Sequence, residues 1–115
     1  KVIFVENDIN ALTVLRKNLR NLKIENQTEV VNNKIIFFFE KLDNKDKFEI
    51  IFFDPPFVED SFIEELKIIK NSKIYKKKHL IIIHREKKSK DNFSGIINIL
   101  LTRTYNRSKI IFATF

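Results

Sequence analysis

The residues best suited to chemistry are Asp54-Pro55-Pro56-Phe57, which directly follow the apolar run Phe48–Phe53. Proline lacks an amide donor and restricts the residue before it, so a buried strand must end there in a stiff loop. Asp54 and the Pro55 carbonyl can accept both hydrogens of a nucleic-acid base amine, and Phe57 can stack on the base. This binding favours a tetrahedral nitrogen whose lone pair can attack a methyl sulfonium. The alternative reading is a simple strand-terminating turn.

A second acidic residue, Glu6, follows another apolar run, Val2-Ile3-Phe4-Val5. Ligands of an open α/β sheet bind beyond the carboxyl ends of its strands, so Glu6 and Asp54 would face the same crevice. An acid in this position typically accepts hydrogen bonds from ribose hydroxyls of a nucleotide-like cofactor. The alternative is that Glu6 or Asp8 only caps the helix that follows.

The elements that would position these acids alternate along the chain. Leu12, Leu15, Leu19 and Leu22 recur at helical spacing and predict an amphipathic helix over residues 9–22. A second helix is predicted over 60–70, with Asp60 or Ser61 as its cap, and a short helix or extended segment over 35–42. Strands are predicted over 2–5, 28–31, 48–53, 80–83, 96–104 and 109–115, with turns or polar loops at 44–47, 87–92 and 105–108. This order predicts a single α/β domain over residues 1–115, with a parallel sheet and an antiparallel C-terminal edge.

Composition narrows the class of protein. The 115 residues are 43% hydrophobic and 32% charged, which is typical of a globular domain and excludes a disordered chain. No apolar run is long enough to span a membrane, and no signal peptide is recognisable, so a cytoplasmic location is the default expectation. Cysteine is absent, which excludes disulfides and thiolate metal sites. With His79 and His84 as the only histidines, no metal site is expected.

Positive charge is concentrated in one part of the chain. Residues 67–90 contain 10 basic and 1 acidic side chains, a net charge of +9. A one-sided basic block indicates a polyanionic partner such as nucleic acid. The equally weighted alternative is a solvated lysine-rich face that reflects codon bias in an AT-rich genome.

The loop Asp54-Pro55-Pro56-Phe57 resembles the (Asp/Asn)-Pro-Pro-(Tyr/Phe) motif of methyltransferases that act on exocyclic amines of adenine, cytosine or guanine. Three stretches are similar to one branch, the RsmD family, whose members methylate a guanine 2-amino group in 16S ribosomal RNA. They are Phe4–Asp8 with the helix after it, Phe48–Phe57, and Tyr105–Phe112. The resemblance covers nearly the whole chain and implies a class I methyltransferase fold, which is Rossmann-like, and S-adenosyl-L-methionine as cofactor.

The resemblance also implies roles for individual residues. Asp54 and the Pro55 backbone would bind the guanine amine, Pro56 would shape the loop, and Phe57 would stack. The cofactor would be bound by Glu6 at its ribose and by Asn7, Asn33 and Lys34 nearby. RNA phosphates, on free ribosomal RNA or the small ribosomal subunit, would meet the basic residues. These are Lys76, Lys77, Lys78, Arg85, Lys87, Lys88 and Arg107.

The sequence departs from the family pattern at several points. The glycine-rich first motif would precede Lys1, so the chain is expected to be the C-terminal two-thirds of the domain. Lys34 falls near the slot of an Asp or Asn that binds the adenine amine; lysine cannot accept that hydrogen bond, and Asn33 is the substitute. Asn106 stands where glycine is frequent, and asparagine tolerates a left-handed turn. His84 stands where an acid is frequent, and its expected role is structural.

The function expected from this reading is methyl transfer to a guanine amine of small-subunit ribosomal RNA by a monomeric enzyme. One alternative is a DNA adenine or cytosine amine methyltransferase with the same loop. The other is a basic RNA-binding remnant that no longer holds the cofactor.

Overall fold

The computed structural model describes residues 1–42, 47–56 and 61–115. The chain divides into two compact units, residues 1–42 and 43–115, each with its own sheet. That the whole chain forms one domain stays a prediction. None of the described helices combines the length and the apolar character needed to cross a bilayer.

The first unit is a two-stranded parallel sheet with its connecting helix. Its elements are β1 (Val2–Glu6), α1 (Ile9–Leu22), a 3₁₀ turn (Glu25–Gln27), β2 (Thr28–Asn32) and α2 (Ile35–Phe39). The strands pair from Val2 opposite Thr28 to Glu6 opposite Asn32. Because the pairing is parallel, the carboxyl ends of both strands lie side by side, which brings Glu6 next to the residues that follow β2.

Helix α1 has the bounds that the leucine spacing predicts. Its N-terminus is capped by Asp8, whose Oδ1 accepts a hydrogen bond from the Ala11 amide at 2.7 Å. Leu12 and Leu19 are buried, whereas Leu22 is 65% exposed and does not belong to the core of this unit. The cap interpretation of the early acids therefore holds for Asp8.

The second unit contains a four-stranded mixed sheet and one helix. Its elements are β3 (Phe48–Phe53), α3 (Phe62–Ser72), β4 (Tyr75–Glu86), β5 (Asn98–Tyr105) and β6 (Ser108–Thr114). The strand order is β3-β4-β6-β5, with β3 parallel to β4 and the other two pairings antiparallel. Asn106, with φ 22°, lies in the turn between β5 and β6. The predicted α/β class with a parallel sheet and an antiparallel C-terminal edge is confirmed.

Several predicted boundaries differ from the structure. Strand β4 extends well beyond the apolar residues 80–83, since its backbone also pairs with β6 as far as Glu86. Helix α3 spans Phe62–Ser72 rather than 60–70, and the side chain of Ser61 makes no capping hydrogen bond within the described structure. The segment 35–42 is helical over Ile35–Phe39. Asp60 and most of the predicted turn at 44–47 lie outside the described residues.

Within the described part of the second unit, the core includes the charged side chain of Arg85 among apolar ones. Alternate residues of β4, Ile81, Ile83 and Arg85, are buried, as the two-residue period of a strand requires. Phe62, Leu66 and Ile69 of α3 are at most 1% exposed. Arg85 is therefore an interior residue of this unit.

Candidate active site

The loop that begins at Asp54 lies at the tip of β3, against the end of β4. Phe53, the last residue of β3, pairs with Ile83, so His84 and Arg85 are the β4 residues that continue alongside the loop. Successive strand residues point to opposite faces of a sheet, and these two side chains bond different parts of the loop. The side chain of Asp54 is 59% exposed, which leaves its carboxylate accessible to a substrate.

His84 holds one oxygen of the Asp54 carboxylate. Its Nδ1 lies 2.8 Å from Asp54 Oδ1. An ionised carboxylate only accepts hydrogen bonds. Nδ1 of His84 is therefore the protonated ring nitrogen that donates the hydrogen bond to Oδ1. The other oxygen, Oδ2, is left for a substrate donor. The sequence analysis assigned His84 a structural role. Its position directly after the apolar run that ends at Ile83 was the signal for a role at the site.

Arg85 bonds the other end of the loop. Its Nη1 donates to the carbonyl oxygen of Pro56 at 3.0 Å, and its Nε and Nη2 donate to the two carboxylate oxygens of Asp91 at 3.2 and 3.0 Å. The Arg85 side chain is 1% exposed and Asp91 is 3% exposed. Arg85 therefore does not belong to the basic surface on which it was predicted to contact RNA phosphates, because its guanidinium is turned into the core.

This arrangement has an electrostatic consequence for Asp91. Burial by itself would raise the pKa of Asp91, but hydrogen bonds from Arg85 and Ser89 and the positive charges of Arg85 and Lys109 outweigh it. The pKa of Asp91 consequently lies below its usual value, and the carboxylate stays ionised. The sequence contained a signal for this interior pair. The alternation of buried residues in β4 continues from Ile81 and Ile83 to Arg85, and Ser89 and Asp91 follow as polar partners.

The predicted cofactor residues of the first unit meet at the carboxyl ends of β1 and β2. Glu6 is half-buried, and its Oε1 accepts hydrogen bonds from the amides of Asn7 and Asp8, both at 2.8 Å. The Asn33 amide donates to the Glu6 carbonyl at 3.1 Å. The carboxylate of Glu6 is thus held in one orientation, with its second oxygen available to an incoming hydroxyl.

Asn33 and Lys34 differ in what they can offer a ligand. The Asn33 side-chain oxygen accepts a hydrogen bond from the Lys34 amide at 2.9 Å, so it already has a partner in the chain. Lys34 is exposed and precedes α2, where it is the N-terminal cap residue but makes no side-chain capping bond. Asn33 therefore retains mainly its amide hydrogens for a ligand.

The remaining predicted basic residues lie at two ends of β4. Lys76, Lys77 and Lys78 are exposed near its start, and Lys76 forms an ion pair with Glu49. Lys87, Lys88 and Arg107 are exposed beyond its carboxyl end, where the Lys87 amide donates to the Arg107 carbonyl at 2.9 Å. Because β3 and β4 are parallel, this second group lies at the same edge of the sheet as Asp54.

Two further observations limit the site. Phe57 lies outside the described residues, so its predicted stacking role stays a prediction. Within the described ranges, no cluster of three or more His, Asp or Glu side chains is arranged to hold a metal ion.

A cleft of about 410 Å³ opens elsewhere in the first unit. It contains none of the predicted site residues and lies near the start of β2, away from the strand end that carries Glu6. We therefore take the carboxyl end of β1 as the candidate site of the first unit and the carboxyl end of β3 as that of the second, each described by itself. Its lining residues are Arg16, Leu19, Arg20, Glu25, Thr28 and Val30.

A protein-family model described as conserved hypothetical protein 95 matches residues 1–114. The chain belongs to this family. Among curated proteins, the chain is 32% identical over 88 residues to ribosomal RNA small subunit methyltransferase D of Haemophilus influenzae. It is 34% identical over 74 residues to the protein of that name from Buchnera aphidicola. These matches confirm the resemblance to the RsmD family that the sequence motifs indicated.

The matches cover 76% and 64% of this chain but only 46% and 38% of the two curated relatives. The chain thus spans less than half the length of the curated relatives it matches.

Comparison with solved structures confirms the fold of this chain. A presumed methylase from Haemophilus influenzae superposes with a TM-score of 0.80 at 25% identity, over 99% of this chain and 71% of the other. A conserved hypothetical protein of Streptococcus pyogenes gives a TM-score of 0.85 at 16% identity, over 97% and 69% of the two chains. The class I methyltransferase fold is therefore shared along almost the whole chain.

Proposed function

We propose that the chain is part of an S-adenosyl-L-methionine-dependent methyltransferase that modifies the 2-amino group of a guanine in small-subunit ribosomal RNA. The observation that carries this proposal is the exposed Asp54 carboxylate at the tip of β3, with Oδ1 bonded by His84 and Oδ2 available. The names of the curated relatives, which are ribosomal RNA small subunit methyltransferases, support RNA as the substrate.

The loop supplies what an exocyclic amine needs in order to react. The amine lone pair is delocalised into the base, and it becomes nucleophilic when both amine hydrogens bind acceptors outside the ring plane. Asp54 Oδ2 and the Pro55 carbonyl are the two acceptors. Since Oδ1 and the Pro56 carbonyl are held by His84 and Arg85, these acceptors need little reorganisation during the reaction.

Residues of the first unit fit the cofactor. The Glu6 carboxylate, fixed by the amides of Asn7 and Asp8, suits the ribose hydroxyls, and the backbone amide of Asn33 bonds the Glu6 carbonyl. S-adenosyl-L-methionine would supply the electrophilic methyl group. In this proposal, Glu6 binds the cofactor, and Asp54 and the Pro55 carbonyl orient the base by accepting hydrogen bonds from its amine.

The decisive experiment measures methyl transfer by the full-length protein with small-subunit ribosomal RNA and with DNA as substrates. The Asp54→Ala variant is expected to lose turnover by about 100-fold or more, as when a positioned transition-state group is removed. Glu64→Ala, which removes an exposed carboxylate of α3, is the matched control and keeps normal turnover.

Transfer to DNA alone would reassign the substrate to a DNA amine. No transfer, together with no binding of S-adenosyl-L-methionine in calorimetry, would identify an RNA-binding remnant. Near-normal turnover in Asp54→Ala would contradict the role of Asp54.

A further inference from the structure

The most buried charged group of the second unit touches the proposed catalytic loop. The Arg85 side chain is 1% exposed, and its ion-pair partner Asp91 is 3% exposed. Taking a pair of charges out of water is costly, and an apolar pair of similar volume often serves stability equally well. A buried pair that also bonds an active-site loop therefore calls for an explanation beyond stability.

The guanidinium of Arg85 is held on all sides. Asp91 accepts two hydrogen bonds from it, and the Ser89 hydroxyl donates to Asp91 Oδ2 at 2.7 Å. The guanidinium carbon lies 4.4 Å from the ring centroid of Phe62, which is itself 1% exposed. With its plane oriented by the carboxylate and the ring, the guanidinium directs one Nη1 hydrogen toward the Pro56 carbonyl, at an N–O distance of 3.0 Å.

We propose that Arg85, oriented by Asp91, is a positioning residue for the Asp54 loop. Its bond to the Pro56 carbonyl fixes one end of the loop, while the neighbouring His84 bonds Asp54 at the other end. The Pro55 carbonyl between these points is left to accept a substrate hydrogen. This inference rests on the proposed methyltransferase function and extends it by a residue that does not touch the substrate.

Arginine is suited to this task for a geometric reason. Only its planar fork can bind a carboxylate with two parallel bonds and still donate a third bond to a carbonyl. A lysine at position 85 keeps the charge but cannot hold both partners in one plane. Arg85→Lys is therefore expected to keep the fold and lose part of the positioning.

The test uses the full-length protein with the Arg85→Met/Asp91→Leu double variant, which removes the donor to Pro56 together with the carboxylate that pairs with it. We expect kcat to fall about 10- to 100-fold, as for a small misplacement of reacting groups, with KM for the cofactor within about twofold of wild type. The kcat of Arg85→Lys should lie between those of the wild type and the double variant. The matched control, Lys67→Met/Glu64→Leu, replaces an exposed ion pair of α3 in the same way and should keep wild-type kcat.

A second readout does not depend on activity. Pro56-Phe57 is the only Pro-Phe pair in this sequence. Labelling with carbonyl-¹³C proline and ¹⁵N phenylalanine restricts the NMR signals to Pro-Phe peptides, and the signal that Phe57→Tyr removes is that of Pro56. Loss of the guanidinium donor should shift the Pro56 carbonyl resonance in the double variant and, to a smaller extent, in Arg85→Lys.

An unshifted Pro56 resonance in either Arg85 variant, or wild-type kcat in a folded double variant, overturns the positioning role. If the double variant does not fold, Arg85→Lys decides by both readouts. Should the wild-type protein methylate no RNA, the proposed function fails, and the Pro56 resonance still decides whether Arg85 orients the loop.

Discussion

At the scale of single residues, the Asp54 carboxylate is divided between two tasks. His84 bonds Oδ1 at 2.8 Å, and we propose that Oδ2 accepts a hydrogen bond from the substrate amine. We expect His84→Ala to lower kcat about tenfold, which corresponds to about 1.4 kcal/mol, because Asp54 then rotates freely. His84→Asn keeps a donor near the position of Nδ1 and should recover part of the loss. Single-turnover methylation measures the effect.

The control for this prediction is His79→Ala, which removes the other histidine of β4. His79 accepts a hydrogen bond from the Phe115 amide at 2.9 Å, and it is not part of the proposed site. Its removal should leave single-turnover rates unchanged. Equal rates for the His84→Ala and wild-type proteins would show that Asp54 needs no support from this side chain.

The pKa of Asp91, which lies below its usual value, makes stability depend on pH. The stabilisation is fully present above the pKa of an unfolded aspartate, about 3.9, and is lost as pH falls through the lower folded value. At pH 7, the free energy of unfolding of Asp91→Asn should be about 3–5 kcal/mol lower than that of the wild type, since the variant removes the carboxylate of a buried ion pair. That difference should shrink below about pH 4.

Urea denaturation between pH 7 and pH 3 measures this difference. Glu64→Gln, at an exposed acid, should show almost no difference at any pH. If the free energies of unfolding of wild type and Asp91→Asn differ by the same amount down to pH 3, Asp91 is not the group whose protonation destabilises the fold.

The site residues that could be predicted from the sequence depend on local chain chemistry, whereas those that could not depend on tertiary contacts. Asp54 could be predicted because two prolines and an apolar strand surround it, and local chain chemistry fixes such a loop. Arg85 was assigned to RNA because it lies in a lysine-rich stretch. The burial of Arg85 depends on its ion pair with Asp91, which lies in the loop after β4. Such a tertiary contact cannot be predicted by counting charges along the chain.

At the scale of elements, both long helices end on a lysine in the left-handed region. Lys23 follows α1 with φ 56°, and Lys73 follows α3 with φ 53°. This conformation costs a residue with a Cβ about 1–2 kcal/mol, whereas glycine adopts it readily. We expect Lys23→Gly and Lys73→Gly each to raise the free energy of unfolding by about 0.5–1 kcal/mol, as measured by urea denaturation.

The same substitution within a helix should have the opposite sign. Lys17→Gly, at an exposed position of α1, is expected to lower the free energy of unfolding by about 1 kcal/mol. A loss of stability in Lys23→Gly comparable to that in Lys17→Gly would argue against a left-handed residue at the end of α1.

Elements were predictable wherever the hydrophobic period alone decides them. The bounds of α1 and β3 match those expected from leucine spacing and from an apolar run that ends at proline. Strand β4 was predicted too short because only its middle is apolar. Its flanks, from Tyr75 and up to Glu86, extend because neighbouring strands offer backbone hydrogen bonds. Such pairing has no signature in the residues that take part.

At the scale of the molecule, the predicted RNA-binding residues do not form one surface. Lys77 and Lys78 lie near the start of β4, whereas Lys87 and Lys88 follow its end. Lys78 and Lys87 are separated by up to roughly 30 Å, at about 3.3 Å per strand residue. Of the two groups, the second lies at the end of the sheet that carries Asp54, so a base bound at Asp54 would have its phosphates nearer to Lys87 and Lys88 than to Lys77 and Lys78.

Lys76 contributes less free charge than its neighbours. Its hydrogen bond and charge lower the pKa of Glu49, which therefore remains ionised as its partner. Lys77 and Lys78 thus provide a matched pair for comparison with Lys87 and Lys88. Both pairs are exposed, consecutive and equal in charge.

We expect Lys87→Ala/Lys88→Ala to weaken binding of small-subunit ribosomal RNA by the full-length protein and to reduce its salt dependence. Each lost phosphate contact releases about one counterion fewer, so the slope of log K against log salt should fall by about 1–2. Lys77→Ala/Lys78→Ala removes the same charge roughly 30 Å away along the strand and should change the slope less. Filter binding between 50 and 200 mM salt measures both slopes. Equal effects of the two double variants would mean that RNA is attracted by net charge alone and is not seated at the Asp54 edge.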